Sequence, residues 1–351
     1  PEQARLLNAG RAYHPAAVTA RAAVDRVSGT DGADPMRHAA RAAGLVAWGH
    51  ALYRQGELAA ATERLKEALS LVGDGPSAEV KGRAFQYLGA IGAISEAYDE
   101  AEGYLGKALE IYASLDHAFG TSLVRHSLGL TALQKRRYGD AERHLEKSLG
   151  LAEKIGYRRG EALALNGLGR LAGAEGDYDR GTVQCQKALS IARDTCDRLT
   201  EARVLIELAV LMLHRGRTDD AWKRSVLGLE MARDLGDPVL AARGGLVAGH
   251  VFTELGMLDQ AREACESALE LQRRLGQSNL MLESLACMAR IKLAGGDPAG
   301  AKDLVEQVFG ELGTCSLAGA NEPMRVYLTC YEVLTAVEDP RARDVLRTVL
   351  E

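Results

Sequence analysis

The chain repeats itself every forty residues, and that period decides most of what it can fold into. Stepping by forty from Gly169 gives Gly49, Gly89, Gly129, Ala209, Gly249 and Ala289, a column of small residues through seven rows. A second column reads Leu58, Tyr98, Tyr138, Tyr178, Thr218, Leu258 and Pro298, and Ala61, Ala101, Ala141, Gly181, Ala221, Ala261 and Ala301 follow it. Leu69, Leu109, Leu149, Leu189, Leu229 and Leu269 stand in a third, each behind a small residue. A fixed period of about 20–50 residues marks an array whose units bury their apolar faces against their neighbours.

The stretch LNGLGRLAGAEGDYDRG, Leu165 to Gly181, carries three closely spaced glycines and has the look of a phosphate loop. A phosphate loop, however, follows an apolar strand and opens a helix, so that backbone N–H groups converge on the anion. Here Leu163, Leu165, Leu168 and Leu171 are spaced for a helix, with no β-branched run before them. Glycine inside a helix costs about 0.5–1 kcal/mol relative to alanine, so something must pack too closely there for a larger side chain. Each row also splits at a short breaker, such as RQGEL at 54–58, KRRYG at 135–139 and AGGDP at 294–298. The unit is therefore a helical hairpin, and its glycines sit where the two helices approach.

LGAIGAISEAYDEAEGYLGKALEIY, LGLTALQKRRYGDAERHLEKSLGLA and LGRLAGAEGDYDRGTVQCQKALSIA share the order Leu-Gly, Gly-x-Tyr or its variants, Ala, then Ala-Leu. In this they resemble tetratricopeptide (TPR) repeats, whose usual period is about 34 residues. The six extra residues of this chain fall after the Ala-Leu pair, in EKIGYRRG and RDLGDPVL, which predicts longer helices around the turn between hairpins. The resemblance implies an all-α fold: a right-handed superhelix, or α-solenoid, of about eight hairpins. Composition agrees, being rich in helix formers with only 8 prolines and no alternating strand-like runs. A solenoid grows by neighbour contacts, so 351 residues need not divide into separate globules. The expected organisation is a degenerate helical pair and linker over 1–35, with GTDGADP at 29–35 as the linker, seven forty-residue repeats over 36–313, and a degenerate repeat over 314–351. Pro1 at the start and the abrupt end suggest a piece cut from a longer polypeptide.

Several function classes find no support. No segment has the length and apolarity of a membrane span, and no signal sequence opens the chain, so a cytoplasmic setting is expected. The six cysteines, Cys185, Cys196, Cys265, Cys287, Cys315 and Cys330, form no CxxC pair, and Cys185 and Cys265 share a core column with Leu105 and Leu145. They read as small buried residues, and no metal or cofactor is expected. The eight histidines fall in no HExxH, and neither GxSxG nor a Walker pattern occurs. Carboxylates such as Glu142 and Glu146 alternate with Arg143 and Lys147 on solvated helix faces. No enzyme is expected. A formal net charge of −5 without a basic run argues against nucleic acid; the densest cluster, QKRRYG at 134–139, falls in a turn.

What remains is the surface made by repetition. The TPR resemblance places the first helix of each hairpin on a concave face, with the positions six before, three before and one after the small-residue column looking inward. Those columns mix polar and apolar types, unlike a buried column. They contribute Arg83, Gln86, His126, Asn166, Arg170, Arg203, Arg243, His250 and Arg290, with Glu207 and Glu283 nearby. Guanidinium forks engage carboxylates bidentately, so the groove is expected to take a protein or peptide segment that is acidic or ends in a carboxylate. Asn166, Arg170 and Arg203 also resemble the polar clamp with which some TPR proteins hold a peptide's terminal carboxylate. The same side chains are equally read as solvated, or paired with a glutamate of the next repeat.

Forty-residue arrays also resemble the C-terminal parts of signal-transduction ATPases with numerous domains (STAND), including SARP-type transcription regulators. That resemblance, with an Ala/Arg/Gly/Asp bias suited to a high-GC bacterium, implies a sensor array whose intramolecular partners would be ATPase and DNA-binding parts outside this chain. The alternative is a stand-alone scaffold or peptide receptor, and a remote third is an enzyme of unrecognised chemistry.

Overall fold

The computed structural model describes residues 14–28, 35–72, 77–312, 317 and 320–350, and these hold seventeen α-helices and no strand. Helix α1 is His14–Ser28. The others pair in chain order: α2 Pro35–Arg54 with α3 Leu58–Leu71, α4 Ala78–Ile94 with α5 Tyr98–Ser114, α6 Ala118–Gln134 with α7 Tyr138–Lys154, and α8 Arg158–Ala174 with α9 Tyr178–Asp194. Four pairs follow: α10 Arg198–His214 with α11 Thr218–Asp234, α12 Pro238–Glu254 with α13 Leu258–Leu275, α14 Ser278–Ala294 with α15 Pro298–Leu312, and α16 Pro323–Ala336 with α17 Ala342–Leu350. Helices α4 to α12 are each 17 residues long. The linker expected at 29–35 lies, but for Pro35, outside the described residues, as does Cys315.

The helices end where they do because the chain turns through a left-handed residue. At the α8–α9 turn Gly176 has φ 84°, its N–H bonds the Gly173 carbonyl at 3.1 Å, and the Asp177 N–H reaches back to the Ala172 carbonyl at 2.8 Å. This pattern satisfies carbonyls that a helix end leaves open, and glycine adopts it without a Cβ penalty. The turn between hairpins uses the same device: Gly156, Gly236 and Gly276 have φ of 67°, 64° and 68°. Both turns of a repeat thus break the chain alike, twenty residues apart.

The small-residue column lies where the two helices of a hairpin cross. A Cβ at Gly49 would stand 2.8 Å from Leu65 Cγ, and one at Gly129 would stand 2.6 Å from Leu145 Cγ and 3.3 Å from the Ala141 carbonyl oxygen. Where the column holds alanine instead, the position sixteen residues on shrinks from leucine to Ser225 after Ala209 and to Val305 after Ala289. At Gly169 and Gly249 the facing residue is a cysteine, and a Cβ on either glycine would collide with the Cys185 or Cys265 sulfur.

The helices form two compact units. The first comprises Pro1–Val204 with Met231–Pro238, the second Leu205–Glu230 with Val239–Glu351. In the first, each helix packs on the next, and the first helices of consecutive hairpins also touch, α2 on α4, α4 on α6 and α6 on α8. Its core runs between the hairpins through residues such as Leu105, Tyr112, Leu128, Leu145, Leu168 and Leu171. The second unit is built likewise; Leu282, Val305, Val326 and Cys330 join its last two hairpins in one cluster. Fully burying one such aliphatic side chain stabilises by about 1.5–3 kcal/mol.

Candidate functional site

In the first unit, the sequence-predicted residues lie on α4, α6, α8 and the start of α10. His126 on α6 is partly buried, and desolvation with the charges of Arg203 and Arg170 pushes its imidazole down to about 3, against a hydrogen bond to the Leu163 backbone. Three successive first helices thus place one neutral imidazole beside two guanidinium groups. Asn166, one turn before Arg170, is 2% exposed, and the Cys185 thiol approaches its Oδ1 at 4.0 Å. It sits within the hairpin packing. Gln86 on α4 accepts a hydrogen bond from the Tyr112 hydroxyl at 3.3 Å. Arg83 stands apart: it is half exposed in the second turn of α4 and pairs with Glu79 of the same helix at 2.5 Å.

A second group extends this surface. His50 on α2 stacks on Tyr87 with ring centroids 4.5 Å apart, and burial together with Arg54 and Arg159 lowers its imidazole to about 4. Arg54 binds Asp237 at 3.1 Å, both side chains nearly buried. Tyr53 lies against the same groups, and burial raises its phenol. Arg159 pairs with Asp197 at 3.0 Å. In both groups the partly buried histidine stays uncharged at neutral pH, because a further positive charge beside the arginines would cost both desolvation and repulsion.

All of this group, His50, Tyr53, Arg54, Tyr87, Arg159, Asp197 and Asp237, lies outside the predicted set. Tyr87 stands two residues before the small-residue column, outside the three columns read as facing inward. Arg54 and Asp237 are turn residues, and they meet across 183 positions of chain, which a register between adjacent rows does not reveal.

The second unit arranges its predicted residues in pairs. Arg243 donates to Glu207 at 2.5 Å, with only 22% and 6% of the two side chains exposed. Arg290 donates to Glu254 at 2.7 Å. Around His250, the start of α16 meets α14: Glu283 accepts the Glu322 N–H at 2.6 Å and the Asn321 amide at 3.2 Å, and burial pushes its carboxyl up. The Glu322 carboxylate contacts His214 Nε2 at 2.6 Å and Arg325 Nε at 2.5 Å. Burial opposes its charge, yet His214, Arg325 and His250 hold it down at about 2. The space left beside His250, Cys287 and Thr329 amounts to about 10 Å³, room for no more than one water. Here the chain supplies its own carboxylate to its own cations.

Among the described residues no group of three His, Cys, Asp or Glu is placed to hold a metal ion. None of the described helices is long and apolar enough to cross a membrane.

Residues 246–274 match the family model described as Tetratricopeptide repeat. A comparison with curated protein sequences finds no match. Among solved structures, the chain resembles a Rap protein complexed with competence and sporulation factor, at a TM-score of 0.73 and 11% identity, over 100% of this chain and 97% of that one. It also resembles NprR in complex with its cognate peptide NprX, at 0.56 and 18%, over 86% of each chain. A STAND protein with a tetratricopeptide repeat sensor from Pyrococcus horikoshii aligns at 0.54 and 16%, over 93% of this chain and 50% of that one. At such identities the likeness is one of fold. The chain is an all-α array of forty-residue helical hairpins, similar in fold to those proteins, and residues 246–274 carry the tetratricopeptide repeat pattern.

Proposed function

We propose that the array is a non-catalytic ligand-binding module whose first unit takes an extended acidic or carboxylate-terminated peptide segment on the face carrying His126, Arg170 and Arg203. The observation that carries this reading is the convergence of those three side chains from successive helices. Arg170 and Arg203 lie close enough to His126 to act on its charge, and His50, Tyr53 and Tyr87 add a cluster of packed rings on the neighbouring helices. Charge-assisted hydrogen bonds to a carboxylate are the strong kind, and arginine forms them two at a time. The Rap and NprR complexes support the reading by analogy, since each was solved with a factor or peptide bound to the same fold.

The likeness to the STAND sensor supports a finer statement: the array acts as the regulatory part of a larger bacterial regulator in the cytoplasm, and ligand occupancy is passed to ATPase and DNA-binding parts. A stand-alone peptide receptor would use the same surface. The test is selection from a displayed library of random peptides with free C-termini, followed by rebinding to an Arg170→Ala/Arg203→Ala variant. Enrichment of acidic or carboxylate-ended sequences that the variant no longer retains is the expected result. Equal retention by the variant would move the site elsewhere.

A further inference from the structure

Two columns of the repeat touch across the boundary between consecutive hairpins. One is the position sixteen residues after the small-residue column, and the other lies two residues before that column in the next row. Leu145 and Gly167 show the contact, since a Cβ on Gly167 would stand 2.6 Å from Leu145 Cδ2. In one pair of rows both positions are cysteine: Cys265 on α13 and Cys287 on α14. Their sulfurs lie 3.2 Å apart as free thiols, 0% and 1% exposed. Gly249 makes room for them, as a Cβ there would collide with Cys265 Sγ and stand 3.5 Å from Cys287 Sγ.

The surroundings of the two sulfurs differ. Cys287 borders the small cavity shared with His250, Glu322 and Arg325. The hydrogen bond that Cys265 donates to Cys287, together with burial, raises the Cys265 thiol, while that same bond and the nearby His250 and Arg290 lower Cys287 despite its burial. A thiolate is the nucleophile in sulfur redox chemistry, and a second thiol in contact is what resolves its oxidised form. The columns occupied elsewhere by Gly167 and Leu145 thus bring the Cys287 and Cys265 sulfurs into contact.

We propose that Cys265 and Cys287 form an oxidation site at which a small peroxide, admitted by local opening of the hairpin boundary, converts two thiols into a disulfide joining consecutive hairpins. The Cys287 sulfur attacks one peroxide oxygen, the O–O bond breaks, and the departing oxygen leaves as water after taking up the Cys287 proton. Cys287 is then a sulfenic acid. The Cys265 sulfur attacks the Cys287 sulfur, the S–O bond breaks, and hydroxide leaves with the Cys265 proton as a second water. Two thiols and one hydrogen peroxide become one disulfide and two waters. The sulfurs need to close by about 1 Å to reach bonding distance near 2.0 Å. The product ties α13 to α14 directly behind His250 and Glu283, and removes freedom from the unfolded chain more than from the folded one.

The experiment uses the whole chain, reduced, freed of reductant and treated with hydrogen peroxide. Remaining thiols are alkylated after unfolding, and non-reduced peptides are mapped by mass spectrometry. Cys196 is exposed and serves as the internal reference for oxidant exposure. The expected result is a linked peptide containing Cys265 and Cys287, lost on treatment with dithiothreitol, in protein whose melting midpoint has risen by several degrees. In a Cys265→Ala variant, Cys287 should persist as a sulfenic acid captured by dimedone. Full alkylation of both Cys265 and Cys287 in protein whose Cys196 is oxidised would overturn the proposal. The wild-type map needs no variant, so it decides the matter even where Cys265→Ala fails to fold.

Discussion

Placing the same alanine at two helical glycines should change stability in opposite directions. Gly106 lies inside α5 with nothing within 4 Å of where its Cβ would stand, whereas a Cβ on Gly129 in α6 would be 2.6 Å from Leu145 Cγ, 2.9 Å from its Cδ2 and 3.3 Å from the Ala141 carbonyl oxygen. Gly106→Ala gains only helix propensity and lower unfolded-state entropy, a stabilisation of about 0.5–1 kcal/mol. Gly129→Ala gains the same, but must displace the branch carbon of a fully buried leucine backed by neighbouring backbone. Overpacking of this kind costs about 1–3 kcal/mol, so the net effect is a loss of about 1 kcal/mol or somewhat more. A coupling test follows: in a Leu145→Ala background the clash is gone, and Gly129→Ala should there be neutral or stabilising. Urea unfolding followed by far-ultraviolet circular dichroism reads all five proteins, wild type included. Stabilisation by Gly129→Ala in the wild-type background would refute the assignment of the glycine column to the helix crossing.

Other perturbations have definite outcomes. Burial and neighbouring arginines hold His126 at about 3 and His50 at about 4, while an unfolded histidine titrates near its ordinary 6.5. Their contribution is fully present above about pH 6.5 and is lost as pH falls toward those values, because the unfolded chain then binds protons that the folded one refuses; at pH 5 each should have cost about 1–2 kcal/mol, and His126→Gln should flatten the pH dependence of the urea midpoint. Asp237→Ala strips the counter-charge from a nearly buried Arg54 and should destabilise by about 3 kcal/mol in the same assay. Cys196 holds a left-handed turn at φ 54°, so Cys196→Gly should stabilise by about 0.5–1 kcal/mol.

The fold was legible because packing at a helix crossing repeats wherever the crossing repeats. Gly129 against Leu145 recurs as Gly89 against Leu105, and a period of forty exposes both together. The twenty-residue spacing of the turns was harder to see. It is marked by glycine at Gly156 and Gly176, but by Glu96, Asp116, Arg136 and Cys196 at equivalent turns, where tertiary packing overrides the preference for glycine. For the site, columns told which face His126, Arg170 and Arg203 share, since helical periodicity sets direction. They did not tell which charges are already matched. Arg243 with Glu207 lies one row apart and was within reach, whereas Glu322 with His214 joins residues 108 positions apart and depends on how the hairpins stack.

Calorimetric titration of a selected acidic peptide into wild type and the Arg170→Ala/Arg203→Ala variant tests whether the face of His126, Arg170 and Arg203 binds a carboxylate-bearing segment. The peptide is used both with a free C-terminus and amidated, at low and at raised salt. Losing a charged hydrogen bond costs about 1.5 kcal/mol or more, so the double variant should bind about 100-fold more weakly, and salt should weaken the wild type more than the variant. Unchanged affinity in the variant, with helicity intact, would contradict the account.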